Sequence, residues 1–438
     1  MRRTAQAILV CVSGLLAAAP RARANGAFPD SQSVITPADR PDEIILATNF
    51  GLVISEDGGH SWQWSCERDV NAYGSLYQQG PAPRHRLFTV AGDTLAFSDD
   101  GSCGWGIAGG AITGQLLTDV FPDPNDADHV LAIAYDGGIF GVFPSRDGGA
   151  TFDAPLYQAA AGDGIGGVEV ARTDPRVIYV TMTNAADTVP KLARSGDGGA
   201  TWTVTDLSPM IGLGIARIIA VDPQDPDTVL LRLMGADGQS VALTRDGGAT
   251  VTATLTIAGE LTSYVQLPDG TRLVGGLVDS STTGALYRSR DGGATFESIA
   301  GPPHIRALSQ RGGTVYAATD DFGDGYALAV SNDQGTTWRA AMAYDQIQAI
   351  LGCVRSDPQC QASCQALAGQ GATSPGMIWD SAVCSANPPP ESLPEPPVIG
   401  GGGGCGCATA PARSMWALAL VGAIVLLIGL RRRRTPKR

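Results

Sequence analysis

Acidic side chains are the groups in this sequence whose spacing could support chemistry. One set of Asp residues recurs in turn-rich segments at intervals of 41 to 51 residues and ends in a cluster: Asp136, Asp187, Asp237, Asp279, Asp320, Asp321 and Asp324. Carboxylates brought to one face of a protein bind Ca²⁺ or a cationic group. The alternative is that Asp is simply a favoured turn residue. Phe322 also stands where a calcium-binding EF-hand loop would need a ligand.

Catalytic motifs give no firmer prediction. The sequence contains no HExxH, no GxSxG and no phosphate-cradling loop. A glycosidase needs two carboxylates facing each other across a cleft. No such pair can be chosen among 43 acidic residues, so we predict no catalytic residue.

An eight-residue repeat sets the elements that must position these groups. It reads Ser145-Arg146-Asp147-Gly148-Gly149-Ala150-Thr151-Phe152 in one clear copy, and seven copies start 42 to 50 residues apart. The second copy, from Ser98, is degenerate. In a hairpin turn the Asp carboxylate accepts backbone N–H bonds and Gly supplies the positive φ. We expect these structural roles for Asp57, Asp100, Asp147, Asp197, Asp246, Asp291 and Asp333.

The repeat length fits four short strands with their loops. Asp-Pro turns keep phase with the repeat, as Asp123-Pro124 does before Val130. The chain is also rich in turn formers, with 57 Gly and 28 Pro. Seven units of this size predict an all-β fold, a seven-bladed β-propeller of four-stranded antiparallel blades.

At these residues, over positions 30–345, the chain resembles the Asp-box or BNR-repeat propellers. That family includes sialidases, xyloglucan hydrolases, sortilin-type receptors and a photosystem assembly factor. The resemblance implies that the repeat turns lie away from the ligand-binding face and are silent in function. The Arg-Ile-Pro signature of sialidases is absent, because Arg217-Ile218 is followed by Ile219.

Both ends of the sequence carry patterns typical of targeting signals. Arg2 and Arg3, an apolar stretch and a small-residue site ending at Ala24 predict a secretory signal peptide. Near the C-terminus, residues 415–430 are apolar or Gly and are followed by four Arg. This pattern predicts a transmembrane helix with its basic end in the cytoplasm.

Charge excludes one class of partner for the folded part. Of the 30 basic residues, four lie in the leader and seven follow Cys407, which leaves 19 against 43 acidic residues. The body therefore carries a net charge near −24, so nucleic acid is not expected to bind it. Cationic, metal or neutral polymeric ligands stay compatible with this charge.

Cysteines suggest a second, smaller unit after the propeller. Cys353, Cys360, Cys364 and Cys384 fall within about 30 residues, and in an exported protein they predict two disulfides with three possible connectivities. A zinc site is the alternative. Cys66 and Cys103 are then left as partners of each other.

The tail that follows combines a Pro-rich and Gly-rich spacer, Cys405-Gly406-Cys407, the apolar helix and the Arg cluster. This order resembles the MYXO-CTERM sorting tail of myxobacterial surface proteins. The resemblance implies processing by a dedicated membrane protease at Cys405 and Cys407. A plain single-pass anchor is the alternative.

The predicted organisation is a signal peptide (1–24), the propeller (25–348), a disulfide-stapled module (349–386), a spacer (387–407) and the sorting tail (408–438). We expect a non-enzymatic propeller on the cell envelope or outer surface that binds an extracellular protein or glycan. The alternative is an exported glycoside hydrolase, sialidase- or xyloglucanase-like, acting on polysaccharide. No cofactor is expected, with Ca²⁺ as the alternative.

Overall fold

The computed structural model describes residues 30–67, 77–236, 238–278, 283–368 and 378–387. The predicted signal peptide with Ala24, the spacer, Cys405, Cys407 and the sorting tail lie outside these ranges. So do Asp237 and Asp279. No helix of the described ranges is long and apolar enough to cross a membrane.

Seven antiparallel sheets of consecutive strands form the described chain, which confirms the predicted seven-bladed β-propeller. Blade 1 has strands β1 (Ser31–Ile35), β2 (Ile44–Thr48), β3 (Gly51–Ser55) and β4 (Gln63–Cys66). Blade 2 has β5 (Tyr77–Gln79), β6 (Leu87–Ala91), β7 (Thr94–Ser98) and β8 (Gly106–Ile107). In blade 3, a separate parallel ladder of β9 (Gly109–Gly110) and β13 (Thr151–Phe152) accompanies β10 (Leu116–Pro122), β11 (Val130–Asp136), β12 (Ile139–Ser145) and β14 (Tyr157–Gln158).

The remaining blades are regular. Blade 4 has β15 (Asp163–Val170), β16 (Ile178–Asn184), β17 (Pro190–Ser195) and β18 (Thr203–Asp206). Blade 5 has β19 (Ile215–Val221), β20 (Val229–Gly235), β21 (Gly238–Thr244) and β22 (Thr252–Ile257). Blade 6 has β23 (Glu260–Gln266), β24 (Arg272–Val278), β25 (Thr283–Ser289) and β26 (Glu297–Ile299). Blade 7 has β27 (Ile305–Arg311), β28 (Thr314–Thr319), β29 (Leu328–Ser331) and β30 (Arg339–Met342).

Few helices interrupt the sheets. The α-helices are α1 (Ser208–Ile211), α2 (Asp321–Asp324) and α3 (Pro358–Leu367), and the 3₁₀ turns are Tyr344–Gln346, Gly352–Val354 and Ser381–Cys384. A last short strand, β31 (Ala349–Ile350), pairs in parallel with β4 and so adds a fifth strand to blade 1.

The strand order gives the ring two distinct faces. On one face, which we call the loop face, first strands begin and second strands turn into third strands. Leu116 therefore pairs with Tyr135, and Asp136 with Ile139. On the other, which we call the repeat face, the eight-residue turns join third and fourth strands. First strands of neighbouring blades contact one another, which places them around the centre of the ring.

The repeat turns are built as their residue types predict. In the copy at residues 145–152, Ser145 Oγ donates to Asp147 Oδ1 (2.7 Å) and accepts the Gly149 N–H (2.9 Å). Thr151 donates its N–H to Asp147 Oδ1 (2.9 Å) and its hydroxyl to Oδ2 (2.6 Å). Gly148 and Gly149 have φ of 75° and 82°, values that favour glycine. Phe152 is buried beneath the turn.

The degenerate copy from Ser98 keeps three of these four bonds, including the one from the Ser102 N–H to Ser98 Oγ (3.0 Å). Asp100 Oδ1 accepts the Ser98 hydroxyl (2.8 Å) and the Gly104 N–H (2.7 Å). Gly104 stands where the other copies have Ser or Thr, so it cannot supply the hydroxyl bond to Oδ2. Ser102 adopts the positive φ, 78°, that glycine takes elsewhere. Blade 2 forms nevertheless.

The ring closes partly through a strand, because β31, which follows blade 7 in the chain, pairs with the outer strand β4 of blade 1. Ser31 Oγ of β1 donates to the Ala327 carbonyl (3.1 Å), and Thr36 shares a hydroxyl bond with Ser309 of β27 (2.7 Å). Arg311 donates to the Glu43 carbonyl (2.7 Å). Side-chain hydrogen bonds between blades 1 and 7 therefore supplement the short ladder of β31 and β4.

Disulfides tie the C-terminal module to the ring, and the predicted pairing is wrong. Two bridges join the module to the ring, Cys66–Cys360 and Cys103–Cys353. The third, Cys364–Cys384, lies inside the module. Trp379 packs against Trp64 at a centroid distance of 5.0 Å, within the core of blade 1. Sequence spacing suggested internal bridges because it cannot show that the module lies against blades 1 and 2.

Candidate functional site

The described members of the predicted acidic set occupy two settings, exposed turns and the hydrogen-bonded helix α2. Asp136 ends β11 and is exposed, and Asp187 is exposed in the turn between β16 and β17, where it accepts the Val189 N–H (3.2 Å). Both lie on the loop face, as expected for turns between second and third strands. Within the described ranges, no group of three or more His, Cys, Asp and Glu side chains is arranged to hold a metal ion. Calcium binding by the full set stays a prediction.

The cluster at residues 320–324 has structural partners. Asp320 accepts the Phe322 N–H (3.1 Å) as the N-cap of α2. Asp324 accepts from the backbone N–H of His304 (3.0 Å) and lies 2.7 Å from its Nδ1. Asp321 accepts the Tyr344 N–H at 3.4 Å. These bonds tie α2 to the segment before β27 and to the 3₁₀ turn after β30.

What α2 presents to solvent is an aromatic ring. Phe322 is 79% exposed, the largest value among the exposed large apolar residues of the described chain. Eight such residues are known there, and six lie on the loop face: Leu116, Tyr135, Ile139, Leu213, Ile215 and Phe322. We call these six the apolar rim.

The apolar rim belongs to blades 3, 5 and 7. Leu116 and Ile215 open the first strands of blades 3 and 5, so they lie at the inner border of the face. Tyr135 and Ile139 flank the turn between β11 and β12, where Tyr135 packs on Phe140 at 4.7 Å. Exposed apolar side chains gathered on one face mark binding surfaces, whereas singly scattered ones need no explanation.

Below the rim, the first strands of blades 3, 4 and 5 carry three charged residues, Asp119, Glu169 and Arg217. We call them the inner cluster. Arg217 donates to the Gly166 carbonyl of blade 4 (3.1 Å), and Glu169 accepts the Val221 N–H of blade 5 (2.9 Å). The cluster thus spans the junctions between three blades.

Burial perturbs both acids of the inner cluster. Desolvation raises the pKa of Asp119 to about 6, against the opposing effects of the Val120 N–H and Arg217. Desolvation raises the pKa of Glu169 to about 7, and the negative charge of Asp119 adds to the shift. Carboxyl groups with such raised pKa values are candidates for proton transfer or for binding a cation.

β-Bulges accompany this arrangement. Six first strands shift register against their second strands near the same depth, between Leu117 and Asp119 in blade 3 and between Ile165 and Gly167 in blade 4. A bulge re-aims the side chains around it. A Cβ at Gly166 would lie 2.4 Å from the Ala216 carbonyl oxygen, so glycine permits the close contact of blades 4 and 5.

Neither the apolar rim nor the inner cluster was predicted from the sequence. Asp119 and Glu169 each interrupt an apolar strand, in Leu117-Thr118-Asp119-Val120 and Val168-Glu169-Val170. A charge within an otherwise apolar strand is the signal that could have identified them. Nothing in the spacing alone reveals which strands border the centre.

No protein-family model matches the chain, and no curated protein matches it. Among solved structures, it is similar to the β-propeller domain of the Trilobed protease from Pyrococcus furiosus, described as having an open velcro topology. The TM-score is 0.50 at 10% identity, with 73% of this chain and 99% of that domain covered.

Two weaker similarities are to the GH74 xyloglucanase from Xanthomonas campestris and to YCF48 from Cyanidioschyzon merolae. The first has a TM-score of 0.39 at 15% identity and covers 71% of this chain but 58% of the enzyme. The second has a TM-score of 0.46 at 11% identity and covers 67% and 93%. The chain spans little more than half the length of the xyloglucanase it matches. The similarity to the Trilobed protease domain supports the fold alone.

Proposed function

We propose that this protein is an exported, non-enzymatic propeller of the Asp-box type that binds an extracellular protein or glycan through its loop face. The observation that supports this most is the placement of the apolar rim, because six of the eight exposed large apolar residues in the described part of the chain lie on that face. The repeat turns occupy the opposite face and satisfy their own polar groups, in keeping with a structural role.

Export is part of the proposal. Three disulfides suit an oxidising compartment, and a leader cleaved after Ala24 would deliver the chain there. A MYXO-CTERM-like tail with Cys405 and Cys407 would then hold or process the protein at the envelope. The folded part would face outward with its net negative charge.

The test uses the full chain, expressed with its own leader and tail and purified in detergent. Binding is measured against a glycan panel and a peptide panel, for the wild type and for two variants. Leu213→Ser with Ile215→Ser changes the apolar rim, and Val204→Ser is the control, because Val204 is also about half exposed but lies on the outer strand of blade 4. We expect a ligand whose binding is lost in the rim variant and kept in the control. Ligands bound equally by all three proteins would contradict the proposal.

The inner cluster favours a second candidate, the exported glycoside hydrolase. Asp119 and Glu169 have the raised pKa values of general acids, but they come from neighbouring strands rather than from opposite sides of a cleft. If they are catalytic, Asp119→Asn and Glu169→Gln abolish polysaccharide turnover while binding persists. Turnover by the wild type with this loss in the variants would replace the binding proposal.

A further inference from the structure

We infer that the ligand of the loop face is a polypeptide with an apolar segment flanked by basic residues, and that Phe322 is its anchor. This inference rests on the proposed function and narrows "protein or glycan" to one class.

The rim is mainly aliphatic. Leu116, Ile139, Leu213 and Ile215 offer no hydrogen-bonding group, and Tyr135 and Phe322 are the two aromatic residues among the six. Recognition of a sugar requires positioned polar groups that pair with its hydroxyls. Protein interfaces instead bury apolar and aromatic side chains at their centre and place charged groups at the edge. The composition of the rim fits a protein partner.

Phe322 has the properties of an interface anchor. Its helix is fixed at both ends, by the Asp320 cap and by the contact of Asp324 with His304, so little order is lost when a partner covers the ring. Gly325 ends the helix with a left-handed φ of 77°. Large aromatic residues on a rigid support account for much of the binding energy in protein interfaces.

The negative charge of the loop face favours a partner with basic residues beside its apolar segment. Asp136 lies beside Tyr135 and Ile139 and is exposed, and Asp187 is exposed on the next blade. Glu260 is paired with Arg232 at 3.7 Å and Arg217 is an exposed cation of β19, so the excess negative charge beside the rim comes from Asp136, Asp187 and the acids of α2. A partner with Lys or Arg around an apolar segment would therefore be attracted, and an acidic partner repelled.

The test uses two synthetic twelve-residue peptide libraries, identical in their apolar central positions, with flanks of lysine or of glutamate, together with a glycan panel. The full chain in detergent is compared with Phe322→Ser, Phe322→Trp and the control Val204→Ser. We expect lysine-flanked peptides to bind, with affinity about 30-fold lower in F322S, close to wild type in F322W and V204S, and falling with salt.

The outcomes separate the two proposals. Glycan binding that depends on the rim, without peptide binding, would overturn this inference and leave the proposed function standing. Equal binding of lysine- and glutamate-flanked peptides would also overturn it. Binding of either class that is unchanged in F322S and in the double variant L213S/I215S would refute both.

Discussion

Neutralising the two acids of the inner cluster should stabilise the protein at neutral pH and not in acid. The perturbation is Asp119→Asn with Glu169→Gln. The amide oxygens can keep the bonds that the carboxylates accept from Val120 (2.8 Å) and Val221 (2.9 Å). Only the charges are removed, so the effect reports the free energy of holding two ionised carboxylates between the blades.

The magnitude follows from the raised pKa values. Asp119 moves from 3.8 to about 6 and Glu169 from 4.5 to about 7, and each pKa unit corresponds to about 1.4 kcal/mol. Full ionisation therefore costs up to about 3 kcal/mol per group. Both side chains are partly accessible to water, which reduces the expected gain to about 1–2 kcal/mol per substitution. The two charges also repel, so the gains should not add.

The effect of the double substitution on stability depends on pH. A carboxyl whose folded pKa is raised keeps its proton in the folded state at pH values where the unfolded chain has released it. Stability therefore falls as pH rises from about 4 to about 7, and this loss is complete above pH 7. The double variant lacks the loss. It should exceed the wild type at pH 8 and match it at pH 4.

Denaturant unfolding of the full chain in detergent measures the difference, at pH 4 and pH 8. Asp136→Asn is the matched control, because it removes an exposed carboxylate from the same face. The reasoning is refuted if the double variant shows the same difference from the wild type at both pH values, or if it is less stable at pH 8.

The other predictions concern the ring and its turns. Replacing Cys103 and Cys353 by Ser removes one of the two bridges between the module and the ring, while Cys66–Cys360 stays closed, and should lower the free energy of unfolding by roughly 3–5 kcal/mol, as measured by denaturant midpoint; an unchanged midpoint would show that this bridge does not stabilise the ring. Asp147→Ala should destabilise by about 1–2 kcal/mol and Asp100→Ala by less, because Asp100 accepts no hydroxyl bond at Oδ2; equal losses would contradict this. Hydrogen bonds from Thr201 and neighbouring groups lower the pKa of Asp197 to about 2. The stabilisation that these turns give the fold should therefore be lost as pH falls from about 4 to about 2, measured as the unfolding midpoint by circular dichroism. A midpoint that does not change over this range would contradict the structural role of the repeat Asp residues.

Much of the fold could be predicted because its determinants are local. Each repeat turn closes through residues within seven positions of one another, such as Ser145, Asp147 and Thr151, so residue types alone specify the geometry. The count of seven blades follows from the spacing. It holds even at Ser98, where Ser102 replaces glycine at a positive φ.

The disulfide pattern could not be predicted in the same way. Cys66 and Cys360 are 294 residues apart and meet because the module packs on blade 1 through Trp379. Spacing carries no trace of such a contact. The sequence shows Asp119 and Glu169 as charges within apolar strands, but it does not show that they meet Arg217. The three residues come together only when three blades pack around the centre.

The most direct test of the loop-face proposal places a photoreactive amino acid at position 213 or 322, or at position 204 on the outer strand of blade 4, in the full chain on intact cells. We predict discrete cross-linked products from positions 213 and 322 and none from position 204. Products from position 204 alone, or the same products from all three positions, would contradict the assignment of the loop face as the binding surface.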